Sequence, residues 1–360
     1  MRKNMTSKKQ IKDTFFDLIK IDSVSGEETK VAFYIKRYLK RIGVDASQDK
    51  FGNVIARLDG YGEFLALCAH MDTVEPGRGI EPVVKNDIVR SKGETILGAD
   101  DKASITEILE AVKYLKIKNI KHRPIELIFT CGEEKYFAGS INLNYKKIRS
   151  KDVIVLDHSM PPGAIIMKSP FIYNFEIKIK GKSAHAGDVP EKGVNAIKVT
   201  GDAISELKIG RINKTTTLNI GEIKGGIGIN TVPEEVYIKG EVRAYNQDSA
   251  LRQIDLVSKA FKKSSRKHKA RYYFKSSLKC PGYRHLRTNS LIKEIVLVNK
   301  ELGINSKFID NAASDANIFN KKGLNSVVIS KGGSNPHSIR ESIKITHMQK
   351  MISFLVEICT

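Results

Sequence analysis

The run FLALCAHMDTV at residues 64–74 limits the possible folds of this 360-residue chain more than any other stretch. Its first six residues are apolar without alternation, which predicts a strand covered on both faces. His70 and Asp72 follow, and because strand side chains alternate with a period of two, they leave the same face. In an open α/β sheet, the carboxyl ends of the strands are where ligands bind. A metal-binding imidazole needs a partner on its second ring nitrogen to fix its tautomer, and a His-x-Asp spacing can supply one locally.

Patterns on either side extend this frame. Ser7 is placed to cap a helix carrying Ile11, Phe15, Phe16, Leu18 and Ile19, and SVSGEE at 23–28 is a turn that opens a second helix over 29–42, closed by Gly43. Strands are expected over 44–48, 53–58 and 64–69, then a Gly/Pro loop at 75–79 and an edge hairpin. Ile105, Ile108, Leu109, Val112 and Leu115 keep helical spacing, which puts Asp100 and Asp101 at the start of that helix. A strand over 125–130 runs into CGEE, and one over 153–156 ends in Asp157. Strands alternating with helices predict a doubly wound, mostly parallel α/β sheet whose strands end in carboxylates or histidines.

After PPG at 161–163 the texture changes. FIYNFEIKIKG at 171–181 alternates like a half-exposed antiparallel strand, and helices over 194–207 and 249–262 interleave with strands over 215–223, 232–244 and 270–275. From about Cys280 the first texture returns, with helices over 289–302, 315–321 and 344–358 and strands over 307–309 and 326–330. The expected organisation is a catalytic domain in two pieces, 1–168 and 278–360, around an inserted α+β lid or dimerisation domain at 169–277, a normal domain size.

Composition narrows the function classes. MRKNMTSKKQ is basic, but no apolar run of signal-peptide length follows it, and no stretch nears the roughly 18 apolar residues of a membrane helix, so a cytoplasmic protein is expected. Cys68, Cys131, Cys280 and Cys359 share no CxxC spacing and read as free thiols. The net charge of +21 (61 basic minus 40 acidic) is spread over nearly every segment and is densest in KKSSRKHKAR at 262–271. Without a groove-reading or RNA-binding motif, it predicts a solvated basic surface and no specific nucleic acid.

His70, Asp100, Glu134, Asp157 and His337 all fall at expected strand ends, helix starts or loops. Two imidazoles with three carboxylates suit a pair of borderline divalent ions such as zinc, about 3.5–4 Å apart, with one carboxylate bridging. In the pair Glu133 and Glu134, neighbouring side chains diverge, so one can ligate while the other faces a bridging water as general base. Ions so placed acidify that water and polarise a carbonyl, which is the machinery of amide hydrolysis. Blander readings stand beside these. His185 suits a turn, Asp101 a helix N-cap, His158 an exposed site and Cys131 strand packing. His122, His268 and His285 read as surface residues and His347 as structural.

AHMDTV at 69–74, GADDKA at 98–103, CGEE at 131–134 and LD at 156–157 recur in order with GKSAHAG at 181–187, GGIGINTVPEE at 225–235, EVR at 241–243 and NPHS at 335–338. With these motifs the chain resembles, over about residues 13–358, the co-catalytic dizinc exopeptidases of peptidase T, carboxypeptidase G, aminoacylase and desuccinylase type, and LGADDKA is nearest to the peptidase T branch. The resemblance implies two zinc ions per subunit, with cobalt or manganese as alternatives. His70 and Asp157 would hold one, Glu134 and His337 the other, and Asp100 would bridge them. It further implies that Asp72 orients His70, that Glu133 is the general base, and that the bond between Asp100 and Asp101 is cis. The insert would form a homodimer, through which His185 reaches the partner's site to stabilise the oxyanion, while Asn230 and Arg243 bind substrate oxygens. The implied activity is hydrolysis of the N-terminal peptide bond of short peptides. The alternative is an N-acyl-amino-acid deacylase or carboxypeptidase using the same mechanism.

Overall fold

The apolar run becomes strand Leu65–His70, with all six residues buried. The structure is a computed structural model describing residues 6–310 and 312–360. The chain divides into two compact units, one made of the chain up to Met167 together with His285–Thr360, the other of Lys168–Arg284.

In the first unit, strands run in the order Ala46–Gln48, Val54–Leu58, Ile125–Thr130, Leu65–His70, Asp152–His158, Asn325–Ser330 and Ala164–Ser169. The four strands from Ile125–Thr130 to Asn325–Ser330 are mutually parallel, and antiparallel strands flank them on both sides. Alternation explains why both faces are covered. Leu65, Leu67, Ile125, Leu127, Phe129, Ile154, Val327 and Ile329 join a core with helices Lys8–Ile19, Ala99–Ile117 and Ile345–Cys359. Cys68, Ile128, Val155 and Val328 are buried on the other face, where helix Asp315–Lys321 packs against strands Asp152–His158 and Asn325–Ser330. This is the doubly wound, mostly parallel sheet that the sequence predicts.

Ser7 caps helix Lys8–Ile19 through a reciprocal pair with Gln10, as its position suggests. The expected edge hairpin forms as Pro82–Lys85 and Ile88–Ser91, but it builds a separate small sheet with Ser342–Lys344 and Gly333–Ser334. Those last two strands, with Ala164–Ser169 and Gly210–Asn213, are absent from the sequence reading. They are short or follow a Pro/Gly turn; Gly210–Asn213 forms against the adjacent strand Thr216–Gly225, whereas Ala164–Ser169 and Ser342–Lys344 also need remote partners in Asn325–Ser330 and Ile88–Ser91.

The second unit is an antiparallel sheet in the order Gly210–Asn213, Thr216–Gly225, Glu235–Ala244, Phe171–Lys180 and Arg271–Cys280. Tyr173, Phe175, Ile177 and Ile179 alternate into a core shared with helices Ala196–Ser205 and Gln247–Lys267. The basic run at 262–271 ends that second helix. There Lys263 pairs with Glu206, and Lys267 and His268 pair with Asp202, an ordinary ion-paired surface.

Three histidines expected at the surface are half-buried. His285 reaches the Ser326 carbonyl at 2.9 Å, His268 reaches Asp202 at 2.7 Å and His122 the Arg123 carbonyl at 2.6 Å. Charged neighbours in sequence show that a segment nears solvent, but not which side chain folds back. All four cysteines are buried and none is in a disulfide, and among the described residues no helix is long and apolar enough to cross a membrane.

Phe129 is fully buried on a central strand. Phe129→Ala is expected to lower the unfolding free energy by about 3–5 kcal/mol, read as a lower urea midpoint at unchanged slope.

Candidate metal centre

Register builds the site. Parallel pairing of strands Leu65–His70 and Asp152–His158 ends with Cys68 opposite Val155, so two residues on, His70 and Asp157 leave the same face at the same level. On the other side His70 lies opposite Thr130, the last residue before CGEE. Three strand ends therefore open into one place.

Asp72 ties them together. One of its carboxylate oxygens accepts the Glu133 N–H at 2.9 Å and lies 3.3 Å from His70 Nδ1; the other accepts the Glu134 N–H at 3.2 Å and the Ser25 hydroxyl at 2.6 Å. His70 Nδ1 also sits 2.9 Å from the Asp72 carbonyl, so that nitrogen faces Asp72 and Nε2 faces outward. Burial alone would raise the Asp72 pKa, but the hydrogen bonds from His70, Ser25 and the Glu133 N–H bring it below its ordinary value.

Around His70 Nε2 stand Asp100 Oδ1 at 3.1 Å and Asp157 Oδ1 at 3.8 Å. The other Asp100 oxygen lies 3.5 Å from His337 Nε2, which is itself 2.6 Å from Glu134 Oε1. All five sequence-expected ligands are thus adjacent, with Asp100 between two sets, and the donor atoms of His70, Asp100, Asp101 and Asp157 and of Asp100, Glu134 and His337 each lie within 4.8 Å of one another. The peptide between Asp100 and Asp101 is cis. Asp100 and Asp101 leave helical φ/ψ at a kink near the start of segment Ala99–Ile117, and the Asp101 carboxylate accepts the His70 backbone N–H at 3.1 Å and the Ser104 hydroxyl.

His337 arrives on the loop between the two short strands Gly333–Ser334 and Ser342–Lys344. Asn335 (φ 53°) and His337 (φ 57°) both take the left-handed region there. Such conformations cost energy in residues with a Cβ and cluster at functional sites. Hydrogen bonds donated to Asp100 and Glu134 push the His337 pKa up to about 10, and at His70 the bonds to Asp100 and Asp72 outweigh burial and raise it too. An entering metal ion would displace such protons. Glu133 is buried, and desolvation, then the nearby charge of Asp157, hold its carboxyl well above the ordinary range, as suits a proton acceptor.

Sequence reasoning missed three supports. Lys331, one residue past strand Asn325–Ser330, points its ammonium at Asp100, Asp101 and Asp157. Its signal was available, since it too stands at the carboxyl end of an apolar strand. Glu341 accepts the Gly98 and Asp100 N–H groups at 2.7 and 2.8 Å, and burial, with the Asp100 charge, pushes it up to about 7. Asp315 accepts the Thr130 and Ser140 hydroxyls, each at 2.5 Å. Nothing local marks the last two.

The remaining expected residues lie in the second unit. His185 and Asn230 share a loop pairing: His185 bridges to Thr231, and the Ala186 N–H donates to the Asn230 carbonyl at 2.9 Å. His185 Nδ1 lies 3.2 and 3.1 Å from the backbone N–H groups of Gly187 and Asp188, which donate to it, and 3.3 Å from Asp188 Oδ2, and its side chain is half exposed. The Arg243 guanidinium is gripped by Glu241 at 2.7 and 3.1 Å.

Comparison with known proteins places this geometry. The peptidase dimerisation domain of M20 peptidases matches residues 172–269, and peptidase family M28 matches residues 53–174. The chain is 33% identical over 365 residues to protein YqjE of Bacillus subtilis, covering 98% of both. A crystal structure of aminopeptidase PepT from Bacillus cereus is similar with a TM-score of 0.94, at 30% identity, over 99% of each chain. The chain belongs to the M20 peptidase family. A Staphylococcus aureus tripeptidase is similar to it as well, with a TM-score of 0.94 at 29% identity over 99% of this chain and 98% of that one. Within the M20 family these likenesses indicate the peptidase T-like branch, and the chain is accordingly a peptidase.

Asp72→Ala would free both His70 and the turn carrying Glu133 and Glu134. Zinc affinity of the purified variant, measured by titration, is expected to fall roughly 10–100-fold.

Proposed function

We propose that this protein is a dinuclear metal-dependent aminopeptidase that removes the N-terminal residue of short peptides, working as a homodimer through its inserted domain. The observation that carries this reading is the meeting of Glu134 and His337, 203 positions apart, with Asp100 next to His70 and Asp157. The donor set is all imidazole nitrogen and carboxylate oxygen, which fits zinc and also cobalt or manganese. His70 and Asp157 would hold one ion, Glu134 and His337 the other, and Asp100 would serve both. The ions, when bound, would supply Lewis acidity to the scissile carbonyl and lower the pKa of the attacking water.

The chain's own residues do the rest. Glu133, desolvated beside this cluster, accepts the proton of the attacking water and delivers it to the departing amine. Asp72 keeps the backbone of Glu133 and the ring of His70 in fixed relation, so that transfer needs no rearrangement. In the insert, the half-exposed His185 imidazole is a donor suited to a developing oxyanion in the partner subunit's site. Asn230 supplies an amide for a substrate oxygen, and the Arg243 fork exchanges Glu241 for the carboxylate of a short peptide. The peptidase dimerisation domain match over the insert and the PepT and tripeptidase neighbours support the homodimer and the peptide substrate.

Glu133→Ala is expected to lower kcat by about a hundredfold to ten-thousandfold while metal content by elemental analysis stays that of the wild type. A panel of free and N-acetylated di- and tripeptides tests the substrate: hydrolysis confined to free-amine peptides supports the aminopeptidase, whereas cleavage of only the acetylated ones identifies a deacylase.

A further inference from the structure

Lys331 is the buried cation of this site, its side chain 1% exposed. It follows strand Asn325–Ser330, and its backbone N–H is anchored on the His158 carbonyl at 3.0 Å, so the side chain starts at the strand edge from which Asp157 also projects. Its ammonium contacts Asp100 Oδ1 and lies 3.0 Å from Asp157 Oδ1 and 3.2 Å from Asp101 Oδ1.

Two of those oxygens are the ones that face His70 Nε2, at 3.1 and 3.8 Å. An ion held by His70, Asp100 and Asp157 must therefore share its oxygens with an ammonium already hydrogen-bonded to them. Repulsion between the two is little screened in a buried site. The other set is built differently. Asp100 Oδ2 and Glu134 Oε1 converge on His337 Nε2 at 3.5 and 2.6 Å, and the His337 side chain is 49% exposed. Removing Lys331 would leave three buried carboxylates without this counter-charge, which raises their demand for a divalent ion.

We propose that Lys331 is a positioning residue, an internal cation that weakens the His70–Asp100–Asp157 position relative to the Asp100–Glu134–His337 position, so that two ions load in sequence with the second set filled first. This rests on the two-ion reading above.

The test is calorimetric titration of chelator-stripped, full-length protein with zinc alone, with bound zinc counted by elemental analysis. The wild type is expected to bind one ion tightly and a second at least roughly tenfold more weakly, and Lys331→Met to strengthen the second step by roughly 10–100-fold. His337→Ala, which keeps the Lys331 side chain, is expected to abolish the tight step and leave weak uptake. Two equal ions on the wild type, an unchanged or weaker second step in a folded Lys331→Met protein, or survival of the tight step in His337→Ala would each overturn the role of Lys331 while leaving the two-ion reading intact. Binding of no zinc by any of the proteins rejects that reading and the proposal with it.

Discussion

The Asp72 carboxylate is the fixed point of the centre. It receives two backbone N–H groups from the CGEE turn and the Ser25 hydroxyl, and it faces the ring of His70. A carboxylate this buried is stable only where such donors replace its lost water. The arrangement in turn fixes three segments that no local pattern relates: the turn after the first helix, the end of strand Leu65–His70 and the turn after strand Ile125–Thr130. Glu133 and Glu134 diverge from a backbone held at both N–H groups, which is how adjacent residues can take different tasks.

The centre lies at the sheet edge because of burial. Strands Leu65–His70 and Ile125–Thr130 are buried over their whole length, and apart from Glu126, which is paired with Arg57, their polar side chains stand where the strands run out. Several carboxylates crowd that edge, and their mutual repulsion is met from within by the Lys331 ammonium and by the imidazoles of His70 and His337. Asp315 secures the floor, joining the end of strand Ile125–Thr130 to helix Ala138–Asn142 through Thr130 and Ser140. The net charge of +21 belongs elsewhere, and its densest run is partly neutralised by Asp202 and Glu206 of a neighbouring helix and its end.

Legibility followed the range of the interactions. The unalternating apolar run, the capped first helix and the strand at 125–130 are local patterns, and each appears in the structure close to where it was expected. The adjacency of the five expected ligands was inferable because each stands at a strand end, a helix start or a motif loop. Glu341 and Asp315 were not, because their partners lie 241–243 and 175–185 positions away and nothing nearby in sequence marks them. The two short strands that carry the His337 loop escaped for another reason, since they lack enough residues to show a period.

By itself, the sequence determined the doubly wound class, the change of texture at the insert and the residues able to bind metal, because alternation and side-chain chemistry are written residue by residue. Only the tertiary structure decided that Asp72 grips both glutamate amides, that Arg243 is engaged by Glu241, and that Lys331 stands among the carboxylates. Those relations depend on register and on which buried charges end up facing one another, and such distances exist only once the chain has closed on itself.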